Sequence, residues 1–235
     1  MGPGPSRRLL FLAPMGAELA PLTRRLGLRR RADDPSVRMG NHGHHTVLGA
    51  VIGIGPEPAR ARTEALLDAH PVDQVVVIGV AGGLPPHVAL GDVVVPEVVV
   101  DDADGTEHRP SIPDDPQRRG TLVTMAGLVK DGVALRALAD QGVVALDMET
   151  AAVAEVCERR RTPWSVFRGI SDDAFDPAVD DAVLGLTRPD GSADPVAVGR
   201  FLAGDPARAR LLRRLARDLD TATGAAVGAA LAATA

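Results

Sequence analysis

The chain has 235 residues and a formal net charge of −5, with 45% apolar and 24% charged residues, the balance of a soluble globular protein. One cysteine, Cys157, excludes internal disulfides and fits a reducing, cytoplasmic setting, and no apolar run reaches the ~18 residues that span a bilayer. An acidic chain with no tyrosine, one tryptophan and four phenylalanines offers nucleic acid neither a basic face nor a stacking platform. Lys130 is the sole lysine, so a lysine Schiff base has one candidate and tyrosine acid–base chemistry has none.

Residues 1–6, with Pro3 and Pro5, read as a disordered tail. Residues 9–13 form a first apolar strand, and a helix follows from about 17 to 26. The Arg- and His-rich stretch 29–45 is expected as a loop or an exposed hairpin. Residues 47–54 read as a strand, after which Pro56 and Pro58 suit the first turn of a helix running to Ala69. Residues 73–80 (DQVVVIGV) are a continuous β-branched run, the mark of a strand buried on both faces in a parallel sheet. Gly91-Asp92 opens a further run over 93–100, and 101–120 is a polar, proline-rich long loop.

The second half repeats the rhythm. Residues 143–147 are a strand, 149–160 a helix, and 164–170 a strand that leads into Ser171-Asp172-Asp173. Turn signals occupy 184–206 around a short helix near 196–202. A long helix over 207–232 carries an amphipathic stripe of Leu211, Leu212, Leu215 and Leu219. Alternating strands and helices with no repeat predict one domain over 1–235, a three-layer α/β/α fold on a mixed, mostly parallel sheet.

In open α/β sheets ligands sit beyond the carboxyl ends of the strands. Three acids fall in that zone: Glu18 after the first strand, Glu149 two residues past Asp147, and Asp172 after the strand that holds Arg168. Each has a structural alternative. An acid near a helix start is favoured electrostatically, as for Glu18 and Glu149, and Asp172 could serve as a helix N-cap.

Four segments occur in order: Val80-Ala81-Gly82-Gly83-Leu84, Gly91-Asp92-Val93-Val94-Val95-Pro96, Leu146-Asp147-Met148-Glu149-Thr150-Ala151-Ala152, and Phe167-Arg168-Gly169-Ile170-Ser171-Asp172-Asp173. This series resembles the nucleoside phosphorylase and nucleosidase superfamily, closest to its methylthioadenosine/S-adenosylhomocysteine nucleosidase branch. The resemblance covers residues 9 to about 173. A dinucleotide-binding reading is weaker, since GVAGG is not GxGxxG.

The resemblance implies a nucleoside substrate, no cofactor, no metal and a homodimer. Cleavage of a purine N-glycosidic bond passes through an oxocarbenium-like sugar, so the base must leave protonated. Asp172 matches the family's acid, which delivers a proton toward N7, with Ser171 beside it. Glu149 matches the glutamate that accepts the ribose 2′ and 3′ hydroxyls, with Met148 packing on the sugar. Glu18 matches the residue that deprotonates the attacking water, and Ala81 and Gly82 line the pocket with backbone amides. Asp173 is the weaker alternative acid.

Hydrolysis is favoured over phosphorolysis, because Glu18 repels phosphate and Ile78 stands where an arginine is expected; Arg24 and Arg25 read as solvated, and Arg168 as structural. Two stretches depart from the nucleosidase pattern. The base-contact segment reads Thr124-Met125-Ala126-Gly127-Leu128-Val129, with Leu128 in place of a stacking aromatic. Residues 184–206 are more similar to the hopanoid-pathway phosphorylase branch, and futalosine hydrolases are a third relative. All three cleave a purine-type nucleoside with a bulky or apolar 5′ substituent. A nucleoside-binding module without catalysis is the reading from another class.

The remaining features have plainer expectations. His42, His44 and His45 lack metal-ligand spacing and are expected at a solvated hairpin tip. Cys157 reads as a small buried hydrophobe, Asp92 as a turn residue and Asp131 as a surface acid.

Overall fold

Two strands apolar on both faces dictate a layer of helices on each side. The computed structural model describes residues 5–111, 120–205 and 207–235. In chain order the first half comprises β1 (Arg8–Ala13), α1 (Gly16–Leu26), β2 (Arg29–Arg30), β3 (Val37–His42), β4 (His45–Val51), α2 (Pro56–Ala69) and β5 (Gln74–Gly83). Then follow β6 (Val93–Val94), β7 (Val98–Asp101), β8 (Glu107–His108), β9 (Thr121–Thr124), α3 (Gly132–Asp140) and β10 (Val143–Asp147). The chain continues through α4 (Thr150–Arg159), β11 (Trp164–Asp173), α5 (Asp181–Leu184), α6 (Pro195–Gly204) and α7 (Ala207–Ala233).

Successive strand residues point to opposite faces. Leu10, Leu12, Val75 and Val77 accordingly enter one core cluster with Ala59 and Leu66 of α2 and the alanines of α4. Leu9, Phe11, Val76 and Ile78 enter the other, with Leu19 and Leu22 of α1 and Ala226, Val227 and Ala230 of α7. A smaller cluster seats Leu135 of α3 against Leu84, Val123 and Val143. The expected three-layer α/β architecture follows from this alternation.

The sheet runs β2-β3-β4-β1-β5-β10-β9-β7-β8, with β11 and β6 branching from β5. β1, β4, β5 and β11 are parallel neighbours, as the β-branched run predicted. β10 is the exception that matters. It pairs antiparallel with the last two residues of β5, Ala145 opposite Gly83 and Leu146 opposite Gly82.

Several expectations need correction. Pro96 has no N–H for a ladder, and the 93–100 run divides around it into β6 and β7. The stretch expected as a loop from 101 contains β8, paired with β7, and its residues 112–119 lie outside the described residues. β9 and α3 were not anticipated. Of the predicted tail, residues 1–4 lie outside the described residues, while Ser6 Oγ donates to the His44 carbonyl at 2.7 Å. The 29–45 stretch, expected as a loop or an exposed hairpin, contains an antiparallel hairpin, but of the three histidines at its tip only His44 is exposed. His45 is buried and its Nδ1 accepts from Arg7 N–H at 3.0 Å, so the triplet is not a solvated cluster. The stripe of Leu211, Leu212, Leu215 and Leu219 is only half-buried; α7 packs mainly through the small residues of its second half.

Candidate active site

Arg168 is the centre of the site, though β11 is otherwise an apolar strand (WSVFRGI). Its side chain is fully buried. A buried guanidinium must be paired, because desolvating an isolated charge costs far more than a fold can absorb. Three carboxylates answer that demand. Arg168 Nη2 donates to Asp147 Oδ2 at 2.6 Å and Glu149 Oε2 at 3.3 Å, and Nη1 lies 3.9 Å from Glu18 Oε2.

The antiparallel entry of β10 explains how Glu149 gets there. Extending its register past Leu146–Gly82 carries Asp147 and Glu149 back along β5 toward Gly79. Arg168 faces that same Gly79 from β11. Asp147 then does the work expected of a helix-start acid: its carboxylate accepts Thr150 N–H at 3.2 Å and the Thr150 hydroxyl, and Thr124 Oγ1 donates to it at 2.6 Å. Glu149 occupies the N-cap position of α4 without capping it. Its Oε1 instead accepts Gly55 N–H at 2.9 Å. Glu18 likewise sits in the first turn of α1 but turns inward, where Oε2 accepts Val80 N–H at 2.9 Å. The helix-electrostatic reading of these two acids is thereby displaced.

Asp172 is set by a different stretch of β5. A register shift in β11 after Ile170 brings it opposite Gly82, where a methyl on Gly82 would stand 3.4 Å from Asp172 Oδ2. It lies in the strand and caps no helix. Ser171 Oγ donates to Asp172 Oδ1 at 2.5 Å. Asp173 is exposed and its carboxylate accepts Phe175 N–H at 2.9 Å, which leaves Asp172 as the inward acid of the pair. Val80 and Gly82 are two residues apart on one strand, about 7 Å, and they tie Glu18 and Asp172 to a common backbone.

Burial dominates the protonation of all three acids. It pushes Glu18 up to about 8 against the pull of Arg168. Burial likewise raises Glu149 to about 7, opposed by Arg168 and assisted by Asp147. Burial raises Asp172 to about 6, with the Ser171 hydrogen bond opposing. Two carboxyls around Arg168 and a third two residues along the same strand β5, all poised near neutrality, are an arrangement suited to proton transfer.

The other predicted residues vary in their support. Ala81 is buried opposite Ile170. Met148 is half-buried between the two acids it adjoins in sequence. Val129 packs in the cluster that also receives Met125, Leu146, Ala174 and Phe175. Leu128 beside it is half-buried. Cys157 is fully buried with its thiol pushed up to about 12 by desolvation, as a small hydrophobe would be. Asp92 Oδ2 accepts Ala89 N–H at 3.1 Å in the expected turn. Asp131 N-caps α3 through Val133 N–H. No group of three or more histidine, cysteine or acidic side chains placed to hold a metal ion is found among the described residues.

Residues 8–188 match the phosphorylase superfamily. The chain belongs to that superfamily. It is 35% identical over 153 residues to a 5′-methylthioadenosine/S-adenosylhomocysteine nucleosidase of Marinomonas sp. (strain MWYL1), covering 52% of this chain and 66% of that protein, just under two thirds of its length. A nucleosidase of the same name from Bacillus thuringiensis (strain Al Hakam) is 29% identical over 180 residues, covering 61% and 78%. The fold is shared with the Neisseria meningitidis nucleosidase of that name, solved with methylthio-immucillin-A, at TM-score 0.70 and 18% identity over 97% and 100% of the chains. It is equally shared with the Helicobacter pylori futalosine hydrolase, at TM-score 0.70 and 15% identity over 97% and 98%.

Sequence reasoning singled out the three acids but assigned Arg168 a structural part and used Asp147 only as a landmark. The signal was present: a charged residue amid a doubly apolar strand requires buried partners.

Proposed function

We propose that this phosphorylase-superfamily member hydrolyses the N-glycosidic bond of a purine nucleoside of the 5′-modified adenosine type. The observation that carries the reading is the charge balance around Arg168. One guanidinium faces Glu18, Asp147 and Glu149, so the site has no cationic surplus to hold a phosphate dianion. Ile78, where an arginine would serve a phosphorylase, is buried in the apolar core.

Each acid then has one task. Protonated Asp172 gives its proton to N7 of the base as the C1′–N9 bond breaks and its electrons pass to the base. Glu149 accepts the ribose 2′ and 3′ hydroxyls, and its ionised form stabilises the positive sugar. Glu18 takes a proton from the water whose oxygen bonds to C1′, and the unpartnered Nη1 of Arg168 beside it orients that oxygen. Asp172 ends ionised and Glu18 protonated, and exchange with solvent resets both. Ala81, Gly82, Met148, Leu128 and Val129 form the walls of the nucleoside pocket. A homodimer in the cytoplasm accompanies this reading, the dimer supported by the superfamily resemblance and the compartment by a sequence with one cysteine and so no internal disulfide. Sedimentation measures the dimer.

The test is product analysis with methylthioadenosine, S-adenosylhomocysteine, adenosine, inosine and futalosine, with and without phosphate. Free base and free ribose derivative without phosphate support hydrolysis. A strict phosphate requirement with a sugar 1-phosphate product replaces it with phosphorolysis, and binding without turnover replaces it with a binding module.

A further inference from the structure

We propose that α6 and the N-terminal half of α7 dock the protein on an anionic lipid surface. Helix α6 (PVAVGRFLAG) is rich in apolar residues, yet none of its ten residues is buried. Val196 is 66% and Leu202 38% exposed, the one on its first turn and the other near its end. Ordinary surface helices hide such side chains against a core. The half-buried leucines 211, 212, 215 and 219 of α7 continue this incompletely covered region.

The charge of the segment is opposite to that of the molecule. Residues 195–217 hold six arginines and one acid, Asp205, a net of +5 in a chain of −5; with the flanking Asp194, Asp218 and Asp220 the stretch is still +2, against −7 for the remainder. Part of this charge is used internally. Arg214 pairs with Asp176 at 2.8 Å, and Arg208 lies over the Phe201 ring at 4.7 Å and donates to the Phe201 carbonyl at 3.1 Å. Asp205 accepts Ala207 N–H at 2.7 Å, and Asp220, beyond the segment, pairs with Arg24 at 3.3 Å. Arg200, Arg210, Arg213 and Arg217 are exposed and pair with no carboxylate among the described residues. On α7 the last three fall at i, i+3 and i+7, a single stripe.

The occupant follows from that chemistry. A second copy of the chain docking through this same face would bring +5 against +5, and contact with a copy's acidic remainder is the outcome that the sedimentation measurement below separates. A nucleic acid would find no free aromatic, since Phe201 is engaged by Arg208, and an otherwise acidic protein. Exposed Val196, with the unpaired Arg200 one turn on, and the arginine stripe of α7 suit the headgroup region of an anionic bilayer, where the arginines meet lipid phosphates and the exposed aliphatic side chains of α6 reach the acyl boundary. No helix among the described residues is long and apolar enough to cross a membrane, so the attachment is peripheral.

Co-sedimentation of the full chain with vesicles tests this. Phosphatidylcholine mixed with phosphatidylglycerol should pellet the protein and phosphatidylcholine alone should not, and added salt should weaken the binding. The double variants Arg210→Glu/Arg213→Glu and Val196→Asp/Leu202→Asp should each lower vesicle affinity at least about tenfold with unchanged circular dichroism and melting temperature. Equal pelleting with neutral vesicles, no pelleting at all, or folded variants that pellet like the parent overturns the proposal. So does a change of sedimentation coefficient in the variants, which makes the face a contact between copies, or a nucleic-acid mobility shift that the variants abolish.

Discussion

Arg168 Nη1 stands 3.9 Å from Glu18 Oε2 and makes no hydrogen bond, although the guanidinium that carries it is fully buried and its other terminal nitrogen is bonded to Asp147 and Glu149. A buried donor left over beside a carboxylate raised to about 8 is costly to stability. Such cost is characteristic of groups arranged for chemistry rather than for folding.

The space between these two groups exists only because residue 79 is glycine. Its φ is +150°, and a Cβ there would lie 2.0 Å from Glu18 Oε2 and 2.5 Å from Arg168 Nη1. Gly79→Ala should therefore displace both groups by about an ångström, with a loss of kcat/KM of about a hundredfold or more. Steady-state kinetics on methylthioadenosine, with circular dichroism to confirm folding, checks it. A Gly79→Ala variant of parental activity would remove Glu18 and Arg168 from the reacting centre.

Asp147 holds the charge balance from below. It takes the shortest of the Arg168 contacts and caps α4 as well. Asp147→Ala removes one partner of a buried pair and leaves the guanidinium under-compensated, which should destabilise the fold by about 3–5 kcal/mol. Urea unfolding measures it; a loss within about 0.5 kcal/mol, the range of ordinary surface substitutions, would contradict the assigned role.

These two residues mark the limit of what was legible in the sequence. β1, β5 and β11 were readable because a strand buried on both faces is a continuous apolar run. The three acids were readable because each follows such a run or lies two residues beyond its end. The polarity of β10 was not, since the direction of a strand leaves no trace in local pattern, and it is the antiparallel β10 that carries Glu149 down to Arg168. Helix α3 escaped notice because only Leu135 and Ala139 are buried while Val133 is 69% exposed, which blurs its apolar stripe. His45 looked like part of a solvated tip, because its burial depends on the Arg7 amide that reaches it from the neighbouring chain segment.

The pH dependence of activity follows from the raised acids. The active form needs Asp172 protonated, with its carboxyl at about 6, and Glu18 and Glu149 ionised, with their carboxyls at about 8 and about 7. Between pH 7 and 8 the protonated Asp172 and ionised Glu18 fractions change in opposite directions and cancel. Below 7 ionised Glu149 is lost as well, and above 8 protonated Asp172 is lost without compensation. A plot of kcat/KM against pH should thus be a bell with limbs near 7 and 8, and its acid side should steepen below 6. Asp172→Asn should abolish turnover at every pH without flattening the fold's melting curve. An active Asp172→Asn enzyme contradicts the proton donor.

Stability should carry the opposite signature of the same burial. Glu18 ionises at about 4.5 in the unfolded chain and at about 8 in the folded one. Between these values the folded state binds the extra proton, so raising the pH from 4.5 through 8 progressively lowers stability, with a limiting slope of about 1.4 kcal/mol per pH unit for one group. Glu18→Gln has no proton to lose and should reduce that slope. Denaturant midpoints across the window give the comparison, and parallel slopes for parent and variant would mean that Glu18 is not raised.

The hairpin between α5 and α6 reaches the site through its backbone. Pro189 O accepts Ile54 N–H at 2.9 Å, and the next amide, Gly55 N–H, is the one that holds Glu149. The turn fits because Gly191 is buried at φ +77°, where a Cβ would lie 2.2 Å from Pro14 O. Gly191→Val should lift the hairpin, loosen the Gly55 amide and push the Glu149 carboxyl up from about 7, because that amide favours the ionised form. The expected outcome is a KM raised about tenfold or more, with a smaller change in kcat, since ribose binding is what Glu149 supplies. Gly105→Val is the control, with a similar φ of +75° and no atom within 4 Å of its Cβ, so it carries the backbone strain without the contact. If both variants change KM alike, strain alone is responsible; if only Gly191→Val does, the hairpin positions Glu149.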